Sequence, residues 1–427
     1  VIYAPQAGVV YAFPMKKYSI LWIALTISIL AITACSIPTP FETTADPTFT
    51  PQLTALPTET LTSPSILKID ISLLALVDRE ANSIYLQDIA TGTLKELHYS
   101  DETRLFDINK WSHDGCSLFL TIFTSPTEWR IVRSDLQGHL IATVFDSENY
   151  QREGHITALR VSPDERYFSF QANQGDYLGG YDPIYEFMDL EIVELEDGSL
   201  PVRVSTNGGV WNSEWSPDGA HIAYTDYDES GIMQLFIADV QGQQRRQITN
   251  NADPSKEFAT IGWSNDSARI AYSLQTIELT GNVKDVEIVL HSYPNNNPQV
   301  VVRDQFLNVP SIWWTPEGNV AAYGIVPPDT AHDAIMWIEA RSGEILDVLY
   351  GGNAPHGHML MPRPVDTADT IGFFTETHES QDIFVYDRLS DEFQHVFTFD
   401  PRINVDNWKI APIGFQSIAA CVDAPDS

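Results

Sequence analysis

The chain has 427 residues, 43% of them hydrophobic and 11% aromatic, with three cysteines and a formal net charge of −34 at pH 7. Such acidity argues against DNA or RNA as a partner, because it repels the phosphate backbone, and against docking on anionic lipid. The length admits two or three ordinary domains or one large repeat domain, and three cysteines do not make a disulfide framework.

Residues 1–14 carry no charge and no Met, so they read as an over-extended start with Met15 as the initiator. Met15-Lys16-Lys17 then leads an uncharged, mostly apolar run from Tyr18 to Ala34, which ends in Ile32-Thr33-Ala34-Cys35. A positive start, an apolar middle and small residues before a cut site describe a secretory signal over 15–34. The tetrad resembles the lipobox of bacterial lipoproteins. That resemblance implies that Cys35 takes a lipid, becomes the new N-terminus and anchors the chain on the extracytoplasmic face of a membrane. The alternative is an uncleaved anchor, for which the run is a little short of the roughly 20 residues that span a bilayer.

The stretch 35–65 is rich in Thr and Pro, as in Asp46-Pro47-Thr48 and Leu56-Pro57-Thr58. Proline blocks helix and sheet, and the tract has too little apolar area to fold, so it reads as an extended tether.

From residue 66 onward one unit recurs. Its clearest copy runs Trp215-Ser216-Pro217-Asp218-Gly219, Ile222-Ala223-Tyr224, Leu235-Phe236-Ile237-Ala238-Asp239, Gln247-Ile248-Thr249. Ser-Pro-Asp-Gly fits a type I turn, and the apolar runs around it fit short strands. With Trp215 as marker, equivalents fall at Trp111, Val161, Trp263 and Trp314, and weaker ones at Met361 and Trp408. A period of about 50 residues built from short strands predicts a β-propeller. These motifs resemble the WD40-like (PD40) repeats of TolB-type propellers, most specifically over 209–250. The resemblance implies fold more than function, since propellers share an architecture and diverge in role.

The expected fold is therefore all-β, a single propeller of four-stranded antiparallel blades over 66–427. The first blade has second, third and fourth strands at Leu74–Asp78, Ser83–Asp88 and Thr93–Leu97 but lacks a marker strand. Ile403 to Lys409, and a further run from Phe415 to Val422, are placed to supply one. Closure of this kind gives seven blades and leaves no open sheet edge. Six blades, as the TolB resemblance implies, is the alternative. Cys116 and Cys421 could pair if blade geometry allows; two separate buried thiols are the expectation.

In such a ring the turns after first and third strands share one face, and here they are short and alike. Loops after second and fourth strands share the other face and vary, which is where binding usually sits. The longest, Gly175 to Glu186, interleaves Asp176, Tyr177, Tyr181, Asp182 and Tyr185 with glycines, a pattern suited to contact with a peptide or carbohydrate. Asp226 and Asp228 half-match a calcium loop, but its twelfth position is Ile237 where Glu is needed; an ordinary acidic turn fits the same residues. His356 and His358, at alternate positions, would point the same way from a strand and suit a metal pair or an acid–base site; a surface or hydrogen-bonded pair fits the same residues. Trp211, Trp313 and Trp408 lie in or beside first strands, with ligand stacking an option at Trp211.

No nucleophile elbow, zinc-protease helix, phosphate loop or dinucleotide fingerprint occurs. The sequence is read as a non-enzymatic, monomeric binding module for a protein, peptide or glycan, with no cofactor. A propeller lyase or hydrolase using the His pair and an envelope scaffold of TolB type are the alternatives.

Overall fold

The computed structural model describes residues 73–411, apart from 90, 100–102, 126–127, 150–155, 174–187, 196–198, 206, 295–296, 328–332, 366–368, 378–379 and 400–406, together with Cys421. The described strands form seven four-stranded sheets, and each is antiparallel throughout. Blades 2 to 7 are contiguous in sequence. Their inner strands are Arg104–Trp111, Ile156–Val161, Ser213–Trp215, Lys256–Trp263, Asn308–Trp314 and Leu360–Pro364. Blade 1 consists of Leu73–Asp78, Ser83–Asp88 and Leu94–His98, with Asn407–Ile410 from the other end of the chain as its inner strand. The seven-bladed ring closed by a C-terminal strand is therefore observed. The second candidate strand, Phe415 to Val422, falls outside the described residues except for Cys421.

Strand pairing corrects two of the markers. Trp111, Trp215, Trp263 and Trp314 each face the residue that opens the second-strand apolar run. In blade 7 that register belongs to Pro364, opposite Ile371, and in blade 1 to Ile410, opposite Leu74. Met361 and Trp408 sit too early. A search for Trp or another bulky residue misses positions where Pro or Ile takes the same place.

The apolar runs are continuous because each blade is sandwiched between two others and buries both faces. Seven clusters of buried side chains fill the seven gaps between blades. The closing gap packs Leu74, Leu76 and Trp408 against Phe374, Ile383, Val385 and Phe399. Trp408 is fully buried and meets Phe374 edge-on at 5.2 Å.

The repeated turn is locked from within. Ser112, Ser162, Ser216 and Ser264 each donate a side-chain hydrogen bond of 2.5–2.6 Å to the Asp two residues on. Gly219 then takes φ +70°, which a residue without Cβ adopts freely. The marker tryptophans tie blade to blade. The indole Nε1 of Trp215 donates to the carbonyl of Arg160 at 3.2 Å, that of Trp263 to Glu214 at 3.1 Å, and that of Trp314 to Gly262 at 3.0 Å.

Two links hold the closing seam. Asn407 bridges three blades: it accepts from Arg363 Nη2 at 2.6 Å and donates to Asp107 Oδ1 at 2.7 Å. Cys116, in the first turn of blade 2, is disulfide-bonded to Cys421, with Cα atoms 5.3 Å apart. This corrects the expectation of two separate thiols. Ring closure brings together positions 305 residues apart, and linear spacing cannot reveal that.

Candidate functional site

In three gaps the indole of the next marker holds the carbonyl of the residue just before a marker, at Arg160, Glu214 and Gly262, and strand register extends that position to every blade. That residue is Lys409 in blade 1, Lys110 in blade 2, Arg160 in blade 3, Glu214 in blade 4, Gly262 in blade 5, Trp313 in blade 6 and Arg363 in blade 7. Four successive blades, 7, 1, 2 and 3, thus present Arg363, Lys409, Lys110 and Arg160 at one equivalent position. The chain has only 24 Lys and Arg against 58 Asp and Glu, so this arc runs against the charge of the whole. Glycine in blade 5 has a packing reason: a Cβ there would lie 2.8 Å from the Ile312 carbonyl oxygen.

A cavity of about 510 Å³ opens where the inner strands of blades 1 to 4 meet, lined by Lys409, Lys110, Arg160, Glu214, Trp111 and Trp215 among others. Its wall runs from Phe106, near the start of the blade 2 inner strand, to His113 in the turn beyond it. It therefore reaches the face of short, repeated turns, which the sequence marks as structural.

The cations differ in what they already hold. Arg160 pairs with Glu214 at 2.8 Å. Lys110 donates to the carbonyls of Ser162 and Pro163 at 3.1 and 2.7 Å and lies 3.6 Å from Glu165. Arg363 is held by Asn407, yet its buried Nε has no hydrogen-bond partner among the described residues. Half-buried Lys409 has neither a hydrogen bond nor an ion pair to any described residue. Burial, and then the Arg363 guanidinium beside it, pull the Lys409 ammonium down to about 7; Asp107 and Glu214 only partly oppose this. Burial lowers Arg363 to about 10, which still leaves it charged at neutral pH.

The residues singled out from sequence are scattered. Cys35, and the loop residues Asp176, Tyr177, Tyr181, Asp182 and Tyr185, lie outside the described residues. Asp226 is not a surface ligand: it is buried, pairs with Arg245 at 2.9 Å and accepts the Gly209 and Tyr227 amides. Asp228 caps its own turn. The Ile232 amide, with Gln234 and Ser230, holds its carboxyl below the usual range. No group of three or more His, Cys, Asp or Glu among the described residues is arranged to hold a metal ion.

His356 and His358 do not share a strand. They sit at a 3-10 turn, Pro355–Gly357, where His356 takes φ +62° and so throws the two rings apart. His358 accepts the Glu376 amide on Nε2 at 3.0 Å, so its Nδ1 carries the proton and donates to the His356 carbonyl at 3.2 Å. His356 Nε2 lies 3.5 Å from Asp382, which also meets His395 at 3.1 Å. Burial pushes the Asp382 carboxyl up, but hydrogen bonds from Thr398, Ser380 and His395 outweigh it and hold it low. Neither His356 nor His358 lines the cavity. Trp211 is half-buried against the cluster between blades 4 and 5, with its indole N–H unpartnered among the described residues.

No protein-family model matches the chain, and no curated protein matches it. Solved structures do. TolB from Acinetobacter baumannii is 11% identical, with 77% of this chain and 79% of that one aligned and a TM-score of 0.43. Oligogalacturonate lyase in complex with manganese is 12% identical, with 71% of this chain and 82% of that one aligned and a TM-score of 0.53. The likeness is one of fold. Neither similarity assigns a role to the cation arc, which alignment of the markers alone makes visible.

Proposed function

We propose that the protein is a binding module that takes its ligand at the channel cavity and is held on the extracytoplasmic face of a membrane through lipid on Cys35. The observation that carries the reading is a cavity lined by charged side chains at the meeting of four inner strands, with an ammonium that no described residue satisfies. Polar groups left without partners cost free energy, so a site that keeps one open is shaped for something that binds. The ligand is a segment or end of a protein, peptide or glycan, since a cavity of this size takes only part of a macromolecule. The extracytoplasmic address is supported by the Cys116–Cys421 disulfide, because such bonds persist in oxidising compartments. A lyase or hydrolase reading draws no support from the His pair, since His358 spends both ring nitrogens on backbone groups.

The test uses three proteins: wild type, a variant with the cavity filled, and one with loop 174–187 shortened. Glu214→Trp is the filling variant, because Trp313 already occupies the equivalent position in blade 6. Each is applied to peptide and glycan arrays. Binding lost in Glu214→Trp and kept by the shortened loop supports the channel. The reverse pattern moves the site to the long-loop face.

A further inference from the structure

We propose that the channel seats the anionic group of a small ligand or ligand terminus, a carboxylate or a tetrahedral oxyanion, against Lys409. The inference rests on the channel being the ligand site and adds the chemistry that site selects.

The argument begins with position. Lys409 occupies the centre of an arc in which Arg363 precedes it and Lys110 and Arg160 follow, one per blade at matched backbone register. Lys409, Lys110 and Arg160 line one cavity, and Arg363 acts on Lys409 from the neighbouring blade. Two of the four are neutralised by acids: Arg160 by Glu214 and Lys110 by Glu165. Asp107 is shared between Arg79 at 3.7 Å and Asn407. That leaves Lys409 and Arg363 with no ion pair among the described residues, their charge only partly opposed by Asp107 and, at Lys409, by Glu214, on the side of the channel where the chain closes.

Two like charges held together in a partly dry wall repel each other, and an anion between them relieves that repulsion. The Nε of Arg363 and the ammonium of Lys409, which have no hydrogen-bond partner among the described residues, also have donors to give. The rest of the protein carries a large negative charge, so a diffuse anion would be repelled from the outside. The arc is thus a local reversal of sign inside a walled cavity, where field lines are focused.

The groups that face Lys409 are Arg363, Arg160 and Lys110 on the positive side and Asp107 and Glu214 on the negative. An anion favours the charged ammonium, so binding takes up a proton near neutral pH. Affinity falls as pH rises above the free ammonium's value near 7.

Isothermal titration with sulfate and with acetate, neither of which titrates between about pH 6.5 and 8.5, tests this at low salt. Wild type is expected to bind one of them with 1:1 stoichiometry and a Kd of about 10 mM or tighter. A site whose ammonium titrates near 7 is about twentyfold weaker at pH 8.5 than at pH 6.5. Lys409→Met should lose binding while still unfolding in a single cooperative thermal transition, at or above the wild-type temperature. Lys409→Arg should bind equally at both pH values, because a guanidinium stays charged, and this variant guards against a misfolded Met variant. Preference for sulfate or for acetate separates oxyanion from carboxylate. Neither anion binding wild type, or binding that survives Lys409→Met, overturns the inference. If that happens while Glu214→Trp still abolishes array binding, the channel stands as the ligand site and only its anion preference is lost.

Discussion

Severing the Cys116–Cys421 link should loosen the ring where it closes. The two cysteines are 305 residues apart, so the bridge restricts nearly the whole unfolded domain. The chain-entropy relation gives about 5–6 kcal/mol for a loop of that size, and measured bridges usually give about 2–4. Cys116→Ser is therefore expected to cost about 3 kcal/mol, because Asn407, Trp408 and the cluster around Phe374 still hold the seam. At roughly 2.1 cal/mol/K per residue over about 340 residues, that lowers Tm by about 4 °C. The assay compares thermal unfolding of Cys35→Ala protein, oxidised and reduced, with Cys116→Ser in the same background. Thiol titration in denaturant should find no free thiol in the oxidised protein. Two reactive thiols there, or identical melting before and after reduction, would refute the reasoning.

Trp263→Phe keeps the packing of the ring but removes the donor to the Glu214 carbonyl, and should cost about 1–3 kcal/mol in urea unfolding. Arg245→Ala strands the fully buried Asp226 and should cost about 3–5 kcal/mol, read from the same curves. Calcium should leave the melting temperature of wild type unchanged, because the oxygens of Asp226 and Asp228 are already committed. Lys409 titrates lower folded than unfolded, so its unfavourable contribution is present in full below about pH 7 and fades as pH rises towards 10.5. Lys409→Met should thus gain stability over wild type at pH 6, with the gain shrinking by pH 10, as measured by chemical unfolding at both values.

The architecture was legible because its signals are local. Ser216-Pro217-Asp218-Gly219 is a turn read within four residues, and Ile222-Ala223-Tyr224 is a strand sandwiched on both faces. Ring closure was legible too, because Leu73–Asp78 begins in the middle of a unit and its missing inner strand had to come from elsewhere. What stayed hidden depends on register or on distance in sequence. Pro364 and Ile410 stand where Trp was sought, so the cation arc fell out of alignment by three residues in one blade and two in the other. Asp226 reads as a loop acid until Arg245 is seen to cover it. His356 and His358 suggest a strand pair until φ +62° at His356 turns them apart. The Cys116–Cys421 pairing required the closed ring.

Nuclear magnetic resonance of protein labelled with [13C]lysine tests the open ammonium in the channel directly. The chain has eight lysines, so the Cε signal of Lys409 can be assigned by its loss in Lys409→Met. We expect that signal to titrate near 7 in anion-free buffer and to move upward when sulfate or acetate binds. A titration at the ordinary lysine value near 10.4, unmoved by either anion, would contradict a channel built around an unpaired cation.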